Sequence, residues 1–516
     1  SGTISLQVAI GSDDQQQDRF HFTVFPESKP VEQTLEVFDP IGETSRWLRS
    51  LGYRPLPVKG MPAGKQVVIG RKVLSSGFLL PFDAANFVQR GGSLLVMAQD
   101  PQWLHLAWGM RISRHQSRYV FAVNPNHPIM RGLKEEDLQL WAGESQLQEP
   151  YPLISNGVEP WFNPLYGWRW GSRNCVASFA IEKPHFSGWR PILECEFDLA
   201  YSPLLELCHG SGRILLCTLD LEDHTLLDPG ARRLAFNLLT WFKSSSIPPH
   251  AMGRTLLVGD CNPWARYLRN CDQSHNLPDT LKPYSIVVIG RDAVPSIPRL
   301  IAYARQGGKV VVLPRTRALA LPGVRQVEQM RLRGMRALPG WTELKGLSVS
   351  DVRARAFYAG QTYVTVTGAE PKPDLANDGL LARWKVGKGT LLAVQLDPAG
   401  LPEKTHFRLT RWRYTRTVSQ ILANLGAIFS PDLHWLRLLN QPNPAIPLAG
   451  VWDAVATVRI PEAIPRKPHR DPGLSQQGRK LLGLQIPQQI LWQKVYVPAY
   501  WESYGPDFRF IDGEMV

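Results

Sequence analysis

The pentapeptide VVIGR stands at Val67 to Arg71 and again at Val287 to Arg291. Reading outward from each copy shows that the match is not isolated. Before the first come TLEVFDP (Thr34 to Pro40) and the helical RWLR (Arg46 to Arg49); before the second come TLLVGD (Thr255 to Asp260) and RYLR (Arg266 to Arg269). RYLR and VVIGR both follow their counterparts by 220 residues, so the register is kept. Downstream, FVQRGGSLLVM (Phe87 to Met97) parallels YARQGGKVVVL (Tyr303 to Leu313), each a helix, then Gly-Gly, then a buried strand. Glycine suits the end of a helix because the left-handed backbone costs it little. Further on, GSGRILLCTLD (Gly210 to Asp220) matches GKGTLLAVQLD (Gly387 to Asp397). Helices follow in ARRLAFNLLTWF (Ala231 to Phe242) and TRTVSQILANLG (Thr415 to Gly426). Five matched elements in one order point to a duplication.

Each copy reads strand, helix, strand, helix, strand, insertion, strand, helix. Short strands of Val, Ile and Leu between amphipathic helices predict an α/β fold of two tandem doubly wound domains, each a parallel sheet covered on both faces. Ligands of such sheets gather beyond the carboxyl ends of the strands. That makes Asp220 and Asp397, which end the late strands, the candidate site carboxylates. The simpler reading of the pair is that they cap the following loop or helix.

A chain of 516 residues suggests three or four domains. With 44% apolar and 20% charged residues the composition is globular. The net charge of +13 raises a nucleic-acid partner as one possibility, but the charge is diffuse. Its densest patches, Arg325 to Arg336 and Arg408 to Arg416, lie in no zinc-finger, RNP or homeodomain context. Both read as solvated or interface helix faces, so no nucleic-acid partner is expected. The six cysteines show no C-x-x-C and no zinc-ligand spacing with the twelve histidines, so no metal or other cofactor is indicated. Cys217 reads as a core hydrophobe, and an even count permits disulfides without demanding them. No apolar run reaches the roughly 18–20 residues that span a bilayer, so a soluble chain without membrane contact is expected, its location open between periplasm and exterior. The chain begins at Ser1 and passes straight into the strand-like TISLQVAI, as a piece cut from a longer protein would.

The order of elements, with Gly-Gly before the third strand and a G-x-G hairpin before the last, resembles the flavodoxin-like, class I glutamine amidotransferase-like fold over Val31 to Ser430, in two copies. The resemblance implies a cysteine on the turn after the third strand, and a histidine with a glutamate two residues later after the late strand. The pairing is chemical, since a thiol becomes a nucleophile once a base takes its proton. Here the turns read Ala98-Gln99-Asp100 and Pro314-Arg315-Thr316, and Asp220 and Asp397 stand where the histidine would be. Both copies are therefore expected to be empty of glutaminase chemistry and to serve packing and assembly.

The flanks add context. TISLQVAI and DRFHFTVFP (Asp18 to Pro26) are alternating strands, read as the end of an Ig-like β-sandwich. Beyond the second copy, Leu448, Gly450 and Trp452, then Trp492, Val495, Val497, Pro498 and Trp501, then Asp512 and Gly513 resemble the opening of the sugar-binding jelly roll of glycoside hydrolase family 2 proteins. The domain organisation implied is 1–28 sandwich end, 29–247 first amidotransferase-like domain with a β insertion, 248–432 second such domain, and 433–516 start of a galactose-binding-like jelly roll. Together these resemble an interior segment of a large bacterial, β-galactosidase-related glycoside hydrolase, with carbohydrate as the partner of the full-length protein. Family 42 β-galactosidases carry an amidotransferase-like domain used in trimer assembly, which implies a homo-oligomer by analogy. Retaining family 2 enzymes use two glutamates, one in an Asn-Glu pair of a TIM barrel. This chain has no Asn-Glu dipeptide, so its catalytic residues are expected to be none.

One loop offers carbohydrate contact: WFNPLYGWRWG (Trp161 to Gly171) places Trp161, Tyr166, Trp168 and Trp170 within ten residues. Aromatic faces stack on sugars and equally pack insertions onto sheets, the latter being the simpler reading. His127 before Pro128 reads as a turn histidine, and AGES (Ala142 to Ser145) lacks the nucleophile elbow and reads as loop or strand edge. Two alternatives stay open: a free-standing enzyme of amidotransferase-like fold with a non-standard site at Asp220 or Asp397, and a nucleic-acid-binding protein driven by the charge.

Overall fold

A computed structural model of the chain describes residues 2–10, 16–25, 33–113, 116–147, 173–244, 253–315, 317–366, 370–402 and 407–440. The aromatic loop with Trp161, Tyr166, Trp168 and Trp170, and the stretch from Leu448 to Gly513, lie outside the described residues.

The architecture is mixed α/β, with two large sheets built around parallel strands. In the first, the parallel strands run Arg54–Pro57, Thr34–Phe38, Gln66–Ile69, Ser93–Val96 and Gly212–Cys217 across the sheet. In the second they run Cys271–Ser274, Thr255–Val258, Ile286–Ile289, Lys309–Val312 and Gly389–Val394. Counted along the chain, both orders are 2-1-3-4-5. The two VVI segments are third in each, central and buried on both faces. The N-terminal strands Gly2–Ile10 and Gln16–Val24 pair antiparallel, as their alternation predicts.

The sheets depart from the all-parallel expectation. Tyr201–His209, Arg190–Cys195 and Val120–Ala122 extend the first sheet antiparallel, and Leu381–Val386 with Asp374–Ala376 extends the second. For Tyr201–His209 and Leu381–Val386 the cause is the pair of G-x-G turns, because a tight hairpin joins only antiparallel neighbours. RYLR does not form a helix either: a short turn at Trp264–Arg266 leads into the strand Leu268–Arg269. Too few residues separate Trp264 from the strand Cys271–Ser274 for a helix and a return. The basic stretch from Arg325 is likewise not helical. It enters the strand Val324–Leu332, paired with Tyr358–Thr365, whose Tyr, Thr and Val content favours a pleated partner over the helical spacing of Val324, Val327 and Met330.

The Gly-Gly segments act alike in both sheets. Gly91 (φ 103°) and Gly307 (φ 106°) end the helices Ala84–Gln89 and Ile297–Arg305 in the left-handed region. The next glycine faces an aromatic ring of the same helix: a Cβ on Gly92 would strike Phe87, and one on Gly308 would strike Tyr303.

Helices cover the sheets. Pro229–Ser244 lays Leu234, Leu238, Leu239 and Phe242 into the first core, each buried side chain contributing about 1.5–3 kcal/mol. The helix Arg408–Leu425 is buried along nearly its whole length, so the basic run from Arg408 to Arg416 is an interface and not a solvated face. Ser430–Leu438 runs across the expected boundary at residue 432 and packs Trp435, Leu436 and Leu438 on the first core, with Trp435 Nε1 donating to the Trp108 carbonyl at 2.9 Å. Cys217 is a fully buried core side chain and the six cysteines are all free thiols. Among the described residues no helix is long and apolar enough to cross a membrane.

Candidate functional site

At the carboxyl ends of the first sheet's strands, polar side chains converge beneath the surface. Arg71, which closes the first VVIGR, follows strand Gln66–Ile69; Asp220, Glu222 and Asp223 follow strand Gly212–Cys217. Sheet order sets these two strands on either side of Ser93–Val96, so their ends face one region. The Arg71 guanidinium grips Asp223 with both nitrogens, at 2.7 and 2.9 Å. The Asp223 carboxylate also accepts from the Gln146 backbone N–H at 2.8 Å. Thr44 donates its hydroxyl to Glu222 at 2.7 Å and accepts from the Arg71 backbone N–H at 2.8 Å.

Asp220 heads the short helix Leu221–His224, yet its side chain makes no capping bond, contrary to the simpler expectation. It accepts instead from the Ser178 hydroxyl at 2.7 Å, and Ser178 in turn meets Ser145 at 2.5 Å. Ser145, Ser178 and Asp220 are 4%, 0% and 3% exposed. Burial pushes the Asp220 carboxyl up to about 7 against the pull of Ser178 and Arg71. Burial likewise raises Glu222 to about 7, opposed by Arg71 and Thr44. His224 Nδ1 donates to the Ala142 carbonyl at 2.9 Å, so the ring is held by backbone and meets no serine among the described residues. Sequence reading missed Arg71, Ser145, Ser178, Glu222 and Asp223. The acidic run DLED at the strand end was the one signal that pointed to them.

These raised acids make stability depend on pH. Between about pH 4 and 7 the folded chain keeps protons that the unfolded chain has released, so their contribution is full below the unfolded values and is lost as pH rises through about 7. Asp220→Asn keeps the Ser178 hydrogen bond without the buried charge. It is expected to be more stable than the parent by a few kcal/mol near pH 8 and equal to it near pH 4, read from urea midpoints. An equal difference at both pH values would refute the buried-acid account.

The turns that carry a nucleophile in the resembling family are closed from within. Gln99 donates to the carbonyls of Gly70 and Met97 at 3.0 and 2.7 Å, while its oxygen accepts from the backbone of Leu74 at 2.8 Å and of Ser75 at 3.2 Å. Arg315, at the same place in the second sheet, donates to the Gly290 carbonyl at 2.6 Å and to the Arg317 carbonyl at 3.2 Å. Both are buried and both satisfy the glycine carbonyl of their own VVIGR. Asp397 is held differently from Asp220. It is partly exposed, pairs with Arg291, and accepts from the Ala399 backbone N–H at 3.0 Å, which is the turn-capping role expected. His127 accepts from the Ile129 N–H at 3.3 Å and lies 4.7 Å from the Trp241 ring, with burial lowering it to about 4, as a turn histidine.

No protein-family model matches this chain, and comparison with curated proteins gives no match. Among solved structures, an exo-β-1,4-mannosidase from Opitutaceae bacterium strain TAV5 is similar at 13% identity and a TM-score of 0.20, covering 38% of this chain and 39% of that one. A β-galactosidase from Rahnella sp. R3 is similar at 11% identity and a TM-score of 0.21, covering 69% and 53%. A β-galactosidase from Bacillus circulans sp. alkalophilus is similar at 13% identity and a TM-score of 0.19, covering 70% and 52%. The chain thus spans about half or less of the length of these glycoside hydrolases.

Proposed function

We propose that this chain is a non-hydrolytic, structural and assembly segment of a carbohydrate-degrading protein, built on two tandem flavodoxin-like modules that descend from an amidotransferase-like ancestor. The observation that carries the non-hydrolytic reading is the filling of both nucleophile turns by Gln99 and Arg315: Gln99 takes up the Leu74 and Ser75 N–H groups and the Gly70 and Met97 carbonyls, Arg315 takes up the Gly290 carbonyl, and neither side chain is a nucleophile. The hydroxyls that meet a carboxyl of raised affinity for protons, Ser178 with Ser145 behind it on Asp220, Thr44 on Glu222 and Ser187 on Asp432, are buried. The link to carbohydrate rests on the jelly-roll resemblance between Leu448 and Gly513. Periplasmic or secreted placement and homo-oligomer formation belong to the same reading.

The purified chain is expected to turn over neither glutamine nor an aryl galactoside, in the parent and in Asp220→Asn alike. Turnover that Asp220→Asn or Asp397→Asn abolishes would overturn the reading in favour of a re-purposed site. The complete reading frame around this segment is expected to hydrolyse glycosides, and its failure to do so would remove the carbohydrate assignment.

A further inference from the structure

Two segments cross between the large sheets in opposite directions. The loop from Lys183 to Trp189 joins two strands of the first sheet, Ala180–Glu182 and Arg190–Cys195. Phe186, midway along it, is nevertheless 1% exposed in the apolar core on one face of the second sheet, with Trp264, Val288, Val311 and Leu392. Its ring stacks on Tyr267 with 4.2 Å between centroids. The helix Ser430–Leu438 makes the return crossing. It follows the second sheet in the chain, yet its Trp435, Leu436 and Leu438 belong to the core on one face of the first sheet, with Leu94, Val96 and Leu216. Trp435 meets the Trp189 ring edge-on at 6.1 Å. Asn440, just past the helix, accepts from the Ala84 N–H at 2.8 Å and donates to the Phe82 carbonyl at 2.6 Å, which secures the start of the helix Ala84–Gln89.

The crossing segments also touch each other. The Asp432 carboxyl accepts from the Ser187 hydroxyl and the Gly188 N–H, and a Cβ on Gly188 would lie 3.0 Å from Asp432 Oδ2 and 3.3 Å from the Ala423 Cβ. The bare backbone of Gly188 is what lets the two segments pass so closely.

We infer that the crossed segments form a clasp that makes the two large sheets one folding unit, the core of each being complete only with a piece from the other half of the chain. Tandem units of one chain move against each other by default unless a large apolar interface joins them. Here the interface is made of core residues: Phe186 and Trp435 are each 1% exposed, as deeply buried as the strands they pack with. Emptying either position therefore opens a cavity in the sheet that the segment visits, not in the sheet it comes from. The contact of Asp432 with Ser187 and Gly188 then links the two insertions, so that withdrawing one segment strips the other of its hydrogen bonds. The inference is independent of the carbohydrate reading and assigns to the chain one body in place of two hinged ones.

Amide hydrogen exchange on the full chain tests the clasp, read at the slowest amides of Ser93–Val96 in the first sheet and of Lys309–Val312 in the second. In the parent both sets are expected to exchange through one shared opening, with equal protection and an equal response to low urea. Phe186→Ala and Trp435→Ala should each speed exchange about a hundredfold or more in both sheets, as emptying an aromatic site in a core does. The milder Phe186→Leu and Trp435→Phe leave the sites largely filled and should each speed both sheets roughly tenfold, which keeps the test decisive where an alanine variant does not fold. Unequal protection of the two sheets in the parent would overturn the single folding unit. So would a variant that speeds exchange in one sheet while the other stays within about threefold of the parent.

Discussion

Lys183→Met is expected to destabilise the folded chain by about 3–5 kcal/mol, the range for removing one partner from a buried ion pair. Lys183 lies 2.6 Å from Glu194 and 3.5 Å from Asp351, each almost completely buried. Arg416, on the helix Arg408–Leu425, pairs with the same Asp351, and the hydroxyls of Ser348 and Ser350 donate to Glu194 at 3.0 and 3.3 Å. Lys183 and Glu194 belong to the first half of the chain, whereas Ser348, Asp351 and Arg416 belong to the second, so the network is a seam between the two large sheets. Beside it, Asp198 pairs with Arg355 and Arg413, and Asp432 accepts from Ser187 and the Gly188 N–H at 2.6 and 2.8 Å. Without Lys183, two carboxylates would share one arginine in a site that water does not reach. The partnered change Lys183→Met with Glu194→Leu removes both charges and should lose less than Lys183→Met alone, as buried pairs replaced whole by apolar groups often do. Urea denaturation measures both. A single variant costing under about 1 kcal/mol, or a double variant worse than the single, would show that the seam does not hold the halves together.

This seam marks the limit of what the sequence discloses. Local signals were legible: the VVI strands, the helix ends at Gly91 and Gly307, and the late strands beginning at Gly212 and Gly389 lie where apolar runs and glycine chemistry put them. These follow from backbone sterics and burial within a few residues. Arg416 reads as a surface residue on propensity alone. Its burial depends on Asp351, 65 residues earlier in the chain, which no local pattern connects to it. The antiparallel strands Tyr201–His209 and Leu381–Val386 were implicit in the two G-x-G turns, although the apolar runs beside them read equally as parallel strands. At the candidate site, position alone identified Asp220 and Asp397. Their different environments arise from Ser178 and Ser145, brought in by the insertion of the first sheet, and from Arg291, which meets Asp397 directly where Arg71 turns to Asp223.

Gly212→Ala and Gly389→Ala are expected to cost about 3 kcal/mol or more each, and by similar amounts. A Cβ on Gly212 would fall closer than 3.0 Å to the carbonyl oxygens of Gly92 and Val88. On Gly389 it would fall equally close to those of Gly308 and Ala304. The blocking atoms are backbone at the end of the preceding helix and its Gly-Gly, so no side-chain rotation relieves the clash, and moving them would pull the neighbouring parallel strand out of register. In both sheets the same approach recurs one turn earlier, where Gly210 packs on the Gln89 carbonyl and Gly387 on the Arg305 carbonyl. Gly60 and Gly340 provide the controls, since a Cβ at either meets nothing within 4 Å, and alanine there should be neutral or stabilising by up to about 1 kcal/mol. Shared ancestry of the two sheets requires the two close packings to respond alike. A large loss at one of Gly212 and Gly389 with tolerance at the other would mean that the strands reach their common order by different packing, and the tandem reading would fall with it.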